Sequence, residues 1–80
     1  MTARSADAEP PAHIDTRGLK CPWPVLRAAR AMREHGAILL LADDPVARTD
    51  VPALADARNW SIFVEHRADH DAYLLRKGCD

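Results

Sequence analysis

The sequence lacks most of the features that would assign it to a common functional class. Its longest apolar run, Ala37–Ala42, is far shorter than the roughly 20 residues that a membrane-spanning helix needs. The segment 1–11 has no apolar core of the kind found in signal peptides, so we expect a cytoplasmic protein with reduced cysteines. Only three glycines are present, and they form no glycine-rich phosphate-binding loop.

Aromatic residues and excess charge are also scarce. The chain has four aromatic residues and a formal net charge of -1, whereas a domain that binds nucleic acid usually carries a strong basic excess. The four histidines are scattered, at spacings that form no metal site with a cysteine. We therefore expect no metal, no bound cofactor, no membrane and no direct contact with nucleic acid.

The length of 80 residues limits what the fold can contain. A chain this short buries only about 60% of the surface that its unfolded form exposes, which leaves little room for a deep pocket. Function is therefore expected on the surface, with another macromolecule as partner. Residues 1–12 contain no Ile, Leu or Val and are predicted to be a flexible tail, followed by a single domain over 13–80 that is expected to be monomeric.

Hydrophobic periodicity predicts four strands and two helices in the order βαβαββ. The predicted elements are strands over 13–17, 37–42, 60–65 and 72–77, helices over 22–35 and 51–58, and a solvated turn over 68–71. Asp50 is predicted to cap the second helix, and the apolar run 37–42 to be a strand buried on both faces. The predicted fold class is an α/β (α+β) two-layer sandwich with a four-stranded mixed sheet and two helices on one face.

Cys21 directly precedes the first predicted helix. The N–H groups and positive partial charge of a helix N-terminus stabilise an anion, so a thiolate with a lowered pKa is predicted there. Arg17 and Lys20 are expected to add positive potential, while Pro22 and Pro24 stiffen the turn but remove two N–H donors. The alternative is an unreactive cysteine that packs as a small hydrophobe, but a turn beside a lysine is a poor place for core packing.

Two further side chains have two interpretations each. Trp23 falls on the same helical side as Arg27 and Arg30, away from the apolar stripe. It is either a docking anchor beside the thiol or a shield folded over the edge of the core. Cys79 is either a resolving thiol for Cys21 or a terminal residue with no role.

The segment Asp15–Pro24, with the sequence Asp-Thr-Arg-Gly-Leu-Lys-Cys-Pro-Trp-Pro, resembles a known signature. It is similar to the Gly-Leu-x-Cys-Pro-x-Pro stretch of the TusA/SirA family of small sulfur-carrier proteins. The similarity continues through Gly36, Asp44-Pro45 and Asp50-Val51-Pro52 and covers about 14–78. Two features depart from the pattern, because Asn59-Trp60 replaces a frequent Gly-His and the first helix carries three arginines, Arg27, Arg30 and Arg33.

The resemblance implies a βαβαββ sandwich in which Cys21 accepts sulfur as a persulfide. Family members take sulfur from a cysteine desulfurase or a rhodanese-like protein and pass it towards tRNA thiolation, molybdenum cofactor or sulfur oxidation. Asp44 matches an acidic residue that is tied to partner contact. The leading hypothesis is therefore a sulfurtransferase-type carrier that acts with a donor and an acceptor protein.

Two alternatives belong to other classes of function. The first is a regulatory or protein-interaction module without transfer activity, in which Cys21 is incidental or senses oxidation. The second is an RNA-binding domain that uses the arginines of the first helix, although the neutral charge and few aromatic residues weaken it.

Overall fold

The computed structural model describes residues 10–78, so residues 1–9 of the predicted tail and Cys79 lie outside the described part. The elements are β1 (Ala12–Asp15), α1 (Trp23–Met32), β2 (Ala37–Ala42), α2 (Ala47–Arg58), β3 (Ser61–His66) and β4 (Asp71–Arg76). Their order is the predicted βαβαββ.

The four strands form one mixed sheet in the order β1-β2-β4-β3. β1 and β2 are parallel, and β4 pairs in the antiparallel sense with both β2 and β3. Both helices contribute buried side chains to the same core, together with β2 and β4. The two-layer sandwich predicted from the sequence is therefore confirmed.

Within residues 10–78, both helices cover the same face of the sheet, and this corrects the prediction for β2. Ile38, Leu40 and Ala42 are buried against the helices, whereas the alternate residues Ala37 and Leu39 are only partly buried. Neighbouring side chains of a strand point to opposite faces, so only every second residue of β2 reaches the core. The prediction of a strand buried on both faces is wrong because both helices cover the same side.

The second helix begins four residues earlier than predicted, at Ala47, with Val46 at the cap position. Ala47, Val51 and Ala55 are all buried and recur every four residues, so one continuous apolar stripe holds the whole helix against the core. Asp50 therefore lies inside the first turn rather than at the N-cap. In this position the Asp50 side chain reaches the functional site described below.

Asp71 is also placed differently from the prediction. It is the first residue of β4 and only 3% exposed, not part of a solvated turn. Its carboxylate accepts a hydrogen bond from Arg48 Nε of α2 at 2.7 Å and lies 2.7 Å from His66 Nδ1 of β3. Burial by itself would raise the pKa of Asp71, but the hydrogen bonds from Arg48 and His66 outweigh it and lower that pKa. Asp71 thus joins a helix and two strands.

We expect Asp71→Asn to reduce the free energy of unfolding at neutral pH by about 1.5–3 kcal/mol, because charge-assisted hydrogen bonds are lost. Since the folded-state pKa of Asp71 is lowered, its contribution is present above the unfolded-state pKa and is lost as pH falls through the folded-state pKa. The difference between wild type and variant in urea denaturation should therefore shrink in acid. Asp69→Asn is the matched control, since the Asp69 side chain is 84% exposed, and it should change stability much less than Asp71→Asn does. Equal effects of the two substitutions would contradict this account.

Candidate functional site

The loop between β1 and α1 is fixed to the end of β2. Thr16 is fully buried, and both its hydroxyl and its backbone N–H donate to Leu41 O, at 2.6 and 2.8 Å. Gly18 adopts a positive φ of 88°, which a side chain would disfavour, and its N–H donates to the Asp43 carboxylate at 3.0 Å. The loop that carries Cys21 therefore has a defined path across the carboxyl end of the sheet.

Asp44 connects this loop to the start of α2. One of its carboxylate oxygens accepts a hydrogen bond from the Cys21 backbone N–H, and the other accepts one from Val46 N at 3.2 Å. These two hydrogen bonds, in that order of importance, lower the pKa of Asp44. Asp44 thus holds the cysteine loop in place, a role that the sequence did not reveal.

Asp50 contacts the sulfur itself. The Cys21 thiol donates a hydrogen bond to Asp50 Oδ2, with a distance of 2.8 Å between Sγ and the oxygen. Cys21 is partly buried and belongs to no disulfide. The hydrogen bond to Asp50, the partial burial and the negative charges of Asp50 and Asp44 together raise the pKa of Cys21 to about 11.

The prediction of a lowered thiol pKa is therefore wrong, for reasons visible in the structure. Pro22 and Pro24 have no N–H, and the Trp23 N–H donates to Lys20 O at 2.9 Å, so the start of α1 offers few donors to the sulfur. Arg17 is engaged elsewhere, since its guanidinium forms an ion pair with Asp15 at 2.8 Å. Lys20 acts on Asp44, whose pKa it helps to lower, and no cation among residues 10–78 contributes to the pKa of Cys21.

The two prolines of the motif differ in their surroundings. Pro22 is exposed, follows a cis peptide bond and occupies the N-cap position of α1. Pro24 has a fully buried side chain. Pro24 therefore anchors the start of α1 in the core.

Exposed apolar side chains lie on the first turns of α1 and at the start of α2. Trp23 is 54% exposed, and Leu26 of the same helical face and Val46 are about half exposed. Val46 lies close to Cys21, because the backbone N–H groups of both residues donate to Asp44. The exposure of Trp23 favours the docking-anchor interpretation over that of a shield. We call the surface formed by Trp23, Leu26, Arg27 and Val46 the docking face.

The most important residue that the sequence reasoning missed is Asp50. The match of Asp50-Val51-Pro52 to the family pattern marked this residue as a candidate. As a helix cap, however, its carboxylate would have bonded to backbone N–H groups rather than to the sulfur of Cys21. Cys79, the other cysteine with an open role, lies outside the described residues. Within residues 10–78, no three His, Cys, Asp or Glu side chains cluster in a way that could hold a metal ion. No helix in this part of the chain is long and apolar enough to cross a membrane.

The fold and the site together define a class: a small α/β sandwich that presents an accessible thiol just before its first helix. The family model for sulfurtransferase TusA matches residues 12–77. The chain belongs to the TusA family. A sulfurtransferase or sulfur-carrier role, carried out with partner proteins, follows from this membership.

A solved structure supports the fold. The SirA-like protein from Desulfitobacterium hafniense superposes with a TM-score of 0.77 at 24% sequence identity. The alignment covers 84% of this chain and 97% of that one. The arrangement of two helices and a four-stranded sheet is therefore shared with a protein of similar size.

We expect the alkylation of Cys21 by iodoacetamide to keep accelerating as pH rises above about 9, because its thiol pKa is about 11. The rate is measured by intact mass spectrometry in a Cys79→Ser background, with circular dichroism to confirm that the protein stays folded. The Cys21→Ser, Cys79→Ser double variant provides the blank. A rate that levels off near neutral pH would show that the thiol is activated and would contradict the hydrogen bond to Asp50.

Proposed function

We propose that Cys21 accepts a sulfur atom as a persulfide from a donor protein and passes it to an acceptor protein. The observation that carries this proposal is the partly exposed thiol of Cys21, which lies in the Cys-Pro-Trp-Pro motif of a TusA-family chain. The thiol is partly exposed beside the docking face, where a second protein can reach it. A carrier needs this access twice, once for loading and once for delivery.

The loading step is an exchange at sulfur. The Cys21 thiolate attacks the outer sulfur of the donor persulfide, a new S–S bond forms at Sγ, and the donor leaves as its thiolate. The sulfur moves without a net change in oxidation state, so the step needs no external oxidant and no bound cofactor. Delivery repeats the exchange, with the acceptor as nucleophile.

The docking face supports the choice of partners. Trp23 is a rigid aromatic anchor of the type enriched at binding hot spots, and Arg27 adds a cationic edge one helical turn further on. A cysteine desulfurase or rhodanese-like protein is the proposed donor, and its product would feed tRNA thiolation, molybdenum cofactor or sulfur oxidation. A reducing cytoplasm would keep the thiol available for this cycle.

The raised thiol pKa argues against the alternative of an oxidation sensor. Cysteines that sense oxidants have low pKa values, because the thiolate is the species that reacts. Cys21 has the opposite property, since the carboxylate of Asp50 favours its neutral form. The structure thus supports a thiol that is protected until a partner engages it.

Incubation with a persulfide donor should add one sulfur atom to the protein, as measured by intact mass. Small-molecule persulfides, a cysteine desulfurase with cysteine, and a rhodanese with thiosulfate are the donors to compare. The adduct should form in Cys79→Ser and be absent in Cys21→Ser, because Cys21 is the proposed acceptor. No adduct with any of these donors, or an adduct that survives in Cys21→Ser, would refute the proposal.

Trp23→Ala should slow loading from a protein donor by about 30-fold or more at subsaturating donor, the effect of losing a hot-spot side chain. Loading from a small persulfide should stay within about twofold of wild type, because no protein surface is involved. Phe63→Ala is the matched control, since Phe63 is 67% exposed but lies on the sheet face away from the helices. Equal losses in the two variants, or equal losses with both donors, would exclude Trp23 as an anchor.

A further inference from the structure

The hydrogen bond between Cys21 and Asp50 has a direct consequence for reactivity. The thiol can donate to Asp50 Oδ2 only while it keeps its proton. Loss of that proton would place a sulfur anion 2.8 Å from a carboxylate oxygen, with no hydrogen between them. Like charges at this distance strongly disfavour the ionised form.

The charges around the sulfur do not relieve this repulsion. Asp50 faces Cys21 from α2, and Asp44 adds a second negative charge from the loop after β2. Lys20 is the nearest cation in the sequence, but its effect falls on Asp44. No lysine, arginine or histidine within residues 10–78 forms an ion pair with Asp50 or Asp44.

We propose that Asp50 holds Cys21 as a neutral thiol in the free protein, and that a protein sulfur donor brings a cationic side chain to Asp44 and Asp50, which accelerates the reaction of Cys21. The inference rests on the proposed function and specifies the chemistry of the partner. A lysine or arginine beside the donor persulfide would pair with Asp50 and remove the repulsion. Asp50 is thus a positioning residue, and the partner completes the site.

Cys21 loses its proton before sulfur is transferred to it. When the partner cation pairs with Asp50, the thiol proton leaves to water, and Sγ becomes a thiolate. The thiolate attacks the outer sulfur of the donor persulfide, the new S–S bond forms as the old one breaks, and the donor retains a thiolate. The raised pKa of the Cys21 thiol in the free protein agrees with this order of events.

The first arm of the test needs no sulfur transfer. In a Cys79→Ser background, Asp50→Asn should raise the rate of Cys21 alkylation by iodoacetamide at pH 8 by about tenfold. This is the net result of a roughly 100-fold gain in thiolate and a partial loss of its nucleophilicity. Asp56→Asn, on the same helix and exposed, should leave the rate unchanged. If Asp50→Asn is alkylated no faster than wild type, the proposal is overturned.

The second arm tests the cation. Cystamine, which carries an ammonium group on each side, is compared with the neutral bis(2-hydroxyethyl) disulfide in forming a mixed disulfide with Cys21. The ratio of the two rates should be about fivefold higher in wild type than in Asp50→Asn, the effect of one ion pair in water. It should also fall in wild type as salt rises, a measurement that needs no folded variant. A ratio that is equal in both proteins and independent of salt would overturn the proposed acceleration by a cation.

The two proposals fail in different ways. If wild type takes no sulfur from any donor but both arms above give the expected results, the carrier function fails and the control of the thiol by Asp50 stands. If wild type is loaded with sulfur but Asp50→Asn shows neither change, the carrier function stands and the role of Asp50 is refuted. Circular dichroism melting curves of both aspartate variants establish that they are folded.

Discussion

The hydrogen bond from the Cys21 thiol to Asp50 requires three segments of the chain to meet at one edge of the sheet. The loop before α1 supplies the sulfur, the loop after β2 supplies Asp44, and the first turn of α2 supplies Asp50. Each contact depends on the others, because Asp44 fixes both the backbone of Cys21 and the entry to α2. The site is therefore a property of how the helices dock on the sheet.

The same edge of the sheet contains further polar contacts, some of them buried and some exposed. The Thr16 hydroxyl donates a hydrogen bond to Leu41 O near the end of β2, and the Asp43 carboxylate accepts one from the Gly18 N–H. At the start of β4, the Asp71 carboxylate accepts a hydrogen bond from Arg48 and contacts His66. A small core cannot hold such loops by apolar packing alone, since so little surface is buried. Hydrogen bonds accepted by the carboxylates of Asp43, Asp44 and Asp71 help to hold these segments in place around Cys21.

The surroundings of Cys21 protect its thiol from small reagents but leave it accessible to a partner protein. An exposed thiolate would react with small disulfides and oxidants, whereas a fully buried thiol could not meet a partner. Cys21 is partly exposed, is close in the chain to the exposed Trp23, and is held in its neutral form by Asp50. Reactivity at such a site depends on what a partner brings with it.

Much of this protein was determined by the local sequence. Alternating and helical apolar patterns predicted the order βαβαββ, and the Gly-Leu-x-Cys-Pro-x-Pro stretch indicated the family and singled out Cys21 as the candidate functional residue. The start of α2 and the environment of Asp71 were not readable, because both depend on side chains far away in the sequence. The same holds for the electrostatics of Cys21: local features, a helix start and two nearby cations, predicted an activated thiolate. Only the tertiary structure placed Asp50, 29 positions away, against the sulfur and reversed the sign of the pKa shift.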